Sequence, residues 1–232
     1  MTTTSGRRLP RGSLTPDMII TKSLWLLDTA GPDGFSMPKL GRALGADPTA
    51  VYRHFASKDE LVLAIADRLI AEAVMGLGPQ ACWLDSVEQT VRRVRATYVA
   101  HPAAAVLSFS RMTQGPAEIR VVELLIGAVR QAGFEGAEAA VVYRAIAEFT
   151  LAWAGAEAAF LALEANLQQA DRSAWSRTYR AVDRDDYPNI WSLRDELASV
   201  RDDDIFEAVL AVFLDGLSQK APLPCGCDKH AS

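Results

Sequence analysis

Four helix starts are written into the first sixty residues, and they leave that stretch little choice but to fold as short helices. Thr15 precedes Pro16 and Asp17, Ser36 opens a second segment, Asp47 precedes Pro48, and Ser57 is followed three residues later by Glu60. A short oxygen-bearing side chain accepts a hydrogen bond from the unpaired amides of a first helical turn. Proline fits the first helical position, because the N–H it lacks has no partner there. Ser57 with Glu60 is a capping box. Breakers stand between these starts: Gly31, Pro32 and Gly34, then Gly45, then Gly76, Gly78 and Pro79. The pattern predicts helices beginning at residue 16 and ending at Gly31, over 37–44, over 48–55, and from residue 58 to about 75.

The remainder continues in the same period. Apolar positions and breakers predict helices over 83–100, near 103–110, and over 116–132, 137–164, roughly 168–181, 188–199 and 203–218. No pair of segments alternates as strands would, so the fold class is all-α. The expected organisation is a flexible basic arm over 1–14, a three-helix domain over 15–61 with a linking helix to about 75, a larger helical domain over 80–220, and a disordered tail over 221–232. The two tips are the segments rich in Gly, Ser, Pro and other small polar residues.

Half of the 232 residues are hydrophobic and 23% are charged, as in a soluble globular chain. No signal peptide is evident. The longest apolar run, 149–163, falls short of the roughly 18–20 residues that span a bilayer. A cytoplasmic protein with no membrane partner is expected. The three cysteines, Cys82, Cys225 and Cys227, are an odd number without framework spacing, which argues against a disulfide scaffold. Cys225, Cys227, Asp228 and His230 match no closed zinc spacing, so no metal and no cofactor is expected.

Net charge is −5, but it is unevenly spread. Residues 1–60 carry 8 Lys and Arg against 6 Asp and Glu, whereas 61–232 carry 16 against 23. Only the first part suits a polyanion, and Arg7, Arg8 and Arg11 lead it. Within that part, two short helices joined at Gly45, Ala46 and Asp47 have the proportions of a helix-turn-helix, whose second helix enters a major groove. Val51 and Phe55, four apart, form an inward face. Thr49, Tyr52 and Arg53 share the other. Threonine can touch a thymine methyl or a base edge, arginine can bond guanine through two donors, and tyrosine commonly meets phosphate. Lys58 at the next helix start, and Ser36 and Lys39 at the start of the second helix, lie where phosphates would pass. The same short pattern also occurs in proteins that never meet DNA.

The string from Phe35 to Leu61 resembles the DNA-binding signature of the tetracycline-repressor (TetR) family. The likeness rests on Gly41 within the second helix, Gly45 at its end, the block of Tyr52, His54 and Phe55, and Lys58 with Leu61. It covers 15–61 and implies a three-helix head that reads double-stranded DNA, with Pro48 and His54 joining Ser36, Lys39, Thr49, Tyr52, Arg53 and Lys58 as candidate contacts. Met37 and Pro38 depart from the pattern, since relatives often place hydroxyl or basic side chains there. The segments at Tyr187–Pro188–Asn189–Ile190, Phe206–Leu210 and Leu214–Leu217 are similar to the tetracycline-repressor subgroup. That similarity implies a homodimer through 137–164 and 203–218, and the alanine-rich 137–164, apolar nearly all round, suits such close packing.

A transcriptional repressor released from its operator by a small molecule is therefore the expected function. A ligand-independent or activating regulator with the same head is the alternative. An enzyme is the least favoured reading, because no nucleophile elbow, phosphate loop or helical metal pair is present. A largely apolar pocket is expected within 83–180, lined by some of Tyr98, His101, Phe109, Met112, Phe149, Trp153 and Trp175. The negative balance outside the head favours a neutral or cationic effector.

Overall fold

The computed structural model describes residues 14–225, and among them the chain is helical throughout with no strand. The basic arm up to Ser13 and the last residues of the predicted tail, 226–232, lie outside the described residues. The head consists of α1 (Pro16–Gly34), α2 (Met37–Ala43) and α3 (Pro48–Tyr52), and α4 (Lys58–Ala73) leads out of it. Then come α5 (Trp83–Ala100), α6 (Pro102–Ser108), α7 (Pro116–Gln131), α8 (Gly136–Leu161), α9 (Ala165–Arg180), α10 (Pro188–Ser192), α11 (Arg194–Ser199) and α12 (Asp202–Lys220). No single helix among the described residues is long and apolar enough to cross a membrane.

All four N-terminal starts are capped as their chemistry dictates. Thr15, Ser36, Asp47 and Ser57 each accept from an amide two or three residues on. The first helix loses regular geometry at Gly31 (φ 67°), where the sequence places its end, and one more turn follows to Gly34. The expected helix over 188–199 is divided at Leu193 into α10 and α11, a break that no glycine or proline announces.

Two apolar cores organise the chain. One contains Leu27, Leu40, Val51 and Leu61 from the head and α4, and continues without interruption into Val94, Tyr98, Ala104 and Ala154. The other joins α5, α7, α8 and α12 through Trp83, Val87, Val129, Ile146, Phe206 and Leu210. Arg95 of α5 holds α8 and α12 together. Its guanidinium donates to both carboxylate oxygens of Glu157 at 2.6 Å and to Asp203 at 2.7 Å. By contrast α9, α10 and α11 contain no buried residue, and α9 packs chiefly against α11.

Gly155 of α8 lies against Phe109, the residue that ends α6. A methyl at that position would land inside the ring of Phe109. We expect Gly155→Ala to destabilise the protein by about 1–3 kcal/mol, the usual cost of overpacking. A denaturant midpoint unchanged from wild type would show that Phe109 can swing clear.

The tail does not begin at Ala221. Residues 221–225 return to the C-terminal end of α7, with the Leu223 amide donating to the Ala132 carbonyl at 2.9 Å. Cys225 is joined to Cys82 by a disulfide with a Cα–Cα distance of 5.8 Å. The cysteine count and spacing argued against a disulfide scaffold, and the structure corrects this with one link. The pairing depends on where the chain returns in space, and an odd cysteine count says nothing of that.

Candidate nucleic-acid interface and effector cavity

Val51 (0% exposed) and Phe55 (6%) anchor α3 in the head core, while Thr49, Tyr52, Arg53 and His54 are exposed on it. Gly45, at φ 63°, makes the turn before α3 in a conformation that suits glycine. Gly41 allows α2 to approach Pro48 so closely that a side chain there would press on its ring. Pro48 itself is partly buried at the first position of α3.

The candidate contacts differ in what holds them. Ser36 is the cap of α2 and accepts from the Lys39 amide at 3.4 Å. The Thr49 hydroxyl is directed to Asp47, which also accepts from the Thr49 amide at 2.8 Å, so the threonine methyl is what remains for a base. The Lys58 ammonium donates to the Phe35 carbonyl at 3.1 Å and lies 5.3 Å from the Phe35 ring centre, tying α4 to the start of α2. Lys39 and Arg53 are exposed and have no acidic partner among the described residues. The same holds for Arg42 in the last turn of α2, which sequence reasoning passed over. A basic residue on the helix that packs against α3 was the available signal.

Behind the head, α4 is gripped by the turn between α6 and α7. Arg111 forms a two-pronged ion pair with Asp59, at 2.7 and 2.9 Å, and this holds the Asp59 carboxyl below its ordinary pKa. Asp67 accepts from the amides of Ala117 (3.1 Å) and Glu118 (3.0 Å), and the Thr113 hydroxyl oxygen lies 3.0 Å from it. At the far end, His101 lies between Asp28 of α1, at 3.1 Å, and Glu72 of α4, at 3.7 Å. The regulatory helices therefore touch α4 near both of its ends and once in between.

A cavity of about 80 Å³ lies against this grip, with walls from α4 (Ala66, Ile70), α5 (Tyr98), α7 (Glu118) and α8 (Tyr143). A second, open depression of about 450 Å³ runs between α8 and α12, lined by Phe149, Trp153, Phe160 and Ile205.

The structure disperses the seven pocket candidates. Tyr98 lines the inner cavity. Phe149 stacks on Phe213 at 4.1 Å and Trp153 tilts over Phe206 at 6.0 Å, which places both in the α8–α12 groove. His101 is engaged with its carboxylates, and Phe109 is packed on Gly155. Met112 is 65% exposed, and Trp175 is 58% exposed on α9, edge-on to Tyr179 at 4.9 Å. Helical spacing shows which residues share a face of one helix, but not which neighbour that face meets. Arg111, Thr113, Glu118 and Tyr143 were missed as well, since a polar side chain in a turn or on a helix reads as a solvated group until its neighbours are known.

An all-helical chain with an exposed, basic, capped helix-turn-helix in front of a helical body is a DNA-binding regulator. Residues 19–65 match the family described as bacterial regulatory proteins, tetR family, and residues 76–221 match the tetracyclin repressor-like C-terminal domain. The chain belongs to the TetR family of transcriptional regulators. It is 30% identical over 63% of its length to an HTH-type transcriptional repressor of Mycobacterium tuberculosis, of which it spans 59%. It is 26% identical over 89% of its length to the class A tetracycline repressor protein from transposon 1721 in Escherichia coli, covering 92% of that protein. Its fold is similar to that of Streptomyces coelicolor ActR in complex with actinorhodin, with a TM-score of 0.78, 24% identity, and 91% and 98% of the two chains covered.

Proposed function

We propose that the protein is a cytoplasmic, homodimeric repressor that leaves its operator when a small molecule enters the helical body. The observation that carries this reading is α4, which starts beside the reading helix and forms a wall of the inner cavity. A ligand that favours another position of α4 thereby disfavours DNA, because coupling between two sites is reciprocal. Two heads on a two-fold operator must meet half-sites about 34 Å apart, so small shifts of α4 matter. Support for ligand control also comes from ActR, a relative in fold whose structure holds actinorhodin.

Support for the dimer comes from apolar side chains left in water on the two helices that flank the groove. Val141 of α8 is 67% exposed and Val212 of α12 is 75% exposed. The groove between the same two helices adds an apolar lining of Phe149, Trp153, Phe160 and Ile205, and an exposed apolar patch is what an interface covers. In this arrangement Phe149 and Trp153 serve the dimer rather than the effector.

For the head, Tyr52, Lys39 and Arg42 are read as phosphate contacts and Arg53 with the Thr49 methyl as base contacts, with Ser36, Pro48, His54 and Lys58 shaping the same surface. Tyr52→Ala should weaken binding to operator and random duplex alike. Arg53→Ala should remove about 1–3 kcal/mol of discrimination, roughly five- to 150-fold, leaving non-specific binding nearly unchanged. Fluorescence anisotropy over a salt series, with an operator selected from random DNA, measures both. An Arg53→Ala variant that keeps the full operator preference would remove Arg53 from the reading face.

A further inference from the structure

Glu118, in the first turn of α7, stands where the cavity meets the grip on α4. One of its carboxylate oxygens accepts from the Thr113 hydroxyl at 2.7 Å and from the Gln114 amide at 2.8 Å. Among the described residues, Gln114 is the non-glycine residue with positive φ (58°), a backbone state that L-residues rarely adopt unless their surroundings hold them there. The turn so held is the one that presents the Ala117 and Glu118 amides to Asp67, and Arg111 to Asp59. Glu118 thus supports, through one turn, two of the contacts that fix α4.

The chemistry of the cavity narrows what could reach Glu118. Thr90, Ser108 and Thr150 line it, but their hydroxyls donate to carbonyls one turn back, at 2.7, 2.9 and 2.7 Å. Arg111 also lines it, yet its guanidinium is taken by Asp59. The hydroxyl of Tyr98, a side chain only 2% exposed, has no hydrogen-bond partner among the described residues. Burial, and then the negative charge of Glu118, push that phenol up to about 12. The Tyr143 phenol is also raised, chiefly by burial. The cavity therefore presents apolar walls, two phenols and the Glu118 side chain, with no cation left over among the described residues to meet an anion.

We propose that Glu118 senses the effector: an apolar ligand carrying a protonated amine or amidine takes its carboxylate, the Gln114 turn loses its acceptor, and the hold on α4 at Asp67 and Asp59 loosens. This rests on the reading of the inner cavity as the effector site. The cavity of about 80 Å³ would have to widen, as a shift of α4 would allow, for the aromatic body to lie among Ile70, Val94 and Leu125 with the cationic end toward Glu118.

Two measurements on the full-length protein test it. Without ligand, Glu118→Ala should lower operator affinity by up to about tenfold, as expected when the buried Thr113 hydroxyl and the exposed Gln114 amide lose a charged acceptor. Glu118→Gln keeps an amide oxygen that can accept both hydrogen bonds, and should stay close to wild type. An alanine variant that binds operator as tightly as wild type overturns the proposal. With ligand, millimolar benzamidine should weaken operator binding by wild type but not by Glu118→Gln, and its anionic isostere benzoate should affect neither. Equal action by benzoate, or equal action of benzamidine on the glutamine variant, overturns the assigned ligand class. If calorimetry finds that neither compound binds wild type, the inner cavity is not the effector site and the reading beneath the proposal falls instead. Should Glu118→Ala lose its helicity, the comparison of wild type with Glu118→Gln decides alone.

Discussion

Val212→Asp should leave a monomer at micromolar concentration, and operator affinity should fall by about a hundredfold or more. Val212 is the most exposed large apolar residue of α12, at 75%, and lies on a helix that flanks the groove of about 450 Å³. In the proposed dimer its side chain would be buried against the second copy. An unpaired carboxylate costs several kcal/mol to remove from water, enough to undo a modest interface. A single head retains only one half-site, with about half of the phosphate and base contacts that a dimer brings together. Light scattering reads the first effect and anisotropy on the selected operator reads the second. A Val212→Asp protein that stays dimeric would move the interface away from α8 and α12. The same geometry sets what Trp153→Ala should do. With its ring over Phe206 in the groove, the substitution is expected to weaken self-association and not the response to effector.

The second large effect concerns Cys225→Ser, which should lower stability by about 4–5 kcal/mol in the chain-entropy account of cross-links. The bond to Cys82 closes a loop of 143 residues, so it restricts the unfolded chain strongly while adding little contact to the folded one. For a chain of this size that amounts to a fall of about 10 °C or more in melting temperature. Wild type in dithiothreitol should melt with the serine variant, and oxidised wild type well above both. Coincident melting of all three would show that the link does not form in solution.

What was legible in the sequence was what is decided locally. Thr15, Ser36, Asp47 and Ser57 cap the helices they were expected to cap, because a cap needs only a few residues of its own chain. The inward turn of Val51 and Phe55 followed from a spacing of four on one short helix. The body was less legible because its helices are apolar on more than one side. In α8, Ile146 and Ala154 face the interior while Val141 faces out, and no period separates the two roles. Trp175 and Met112 have the composition of pocket residues, yet they sit on an arm and a turn that the rest of the chain does not cover. The break at Leu193 and the return of 221–225 to α7 have their causes in tertiary contacts, which leave no local mark.

The apolar core beneath the reading head runs on into α5, α6 and α8 without interruption. Measured by native-state hydrogen exchange, the amides of α1 and those of α5 should then open in one cooperative event, although the sequence divides them near residue 76. The α9–α11 arm, which buries nothing, should exchange by a separate opening of much lower free energy. Anything that binds among α4, α5 and α7 would slow exchange in α1, a helix of the head, and leave the arm unprotected.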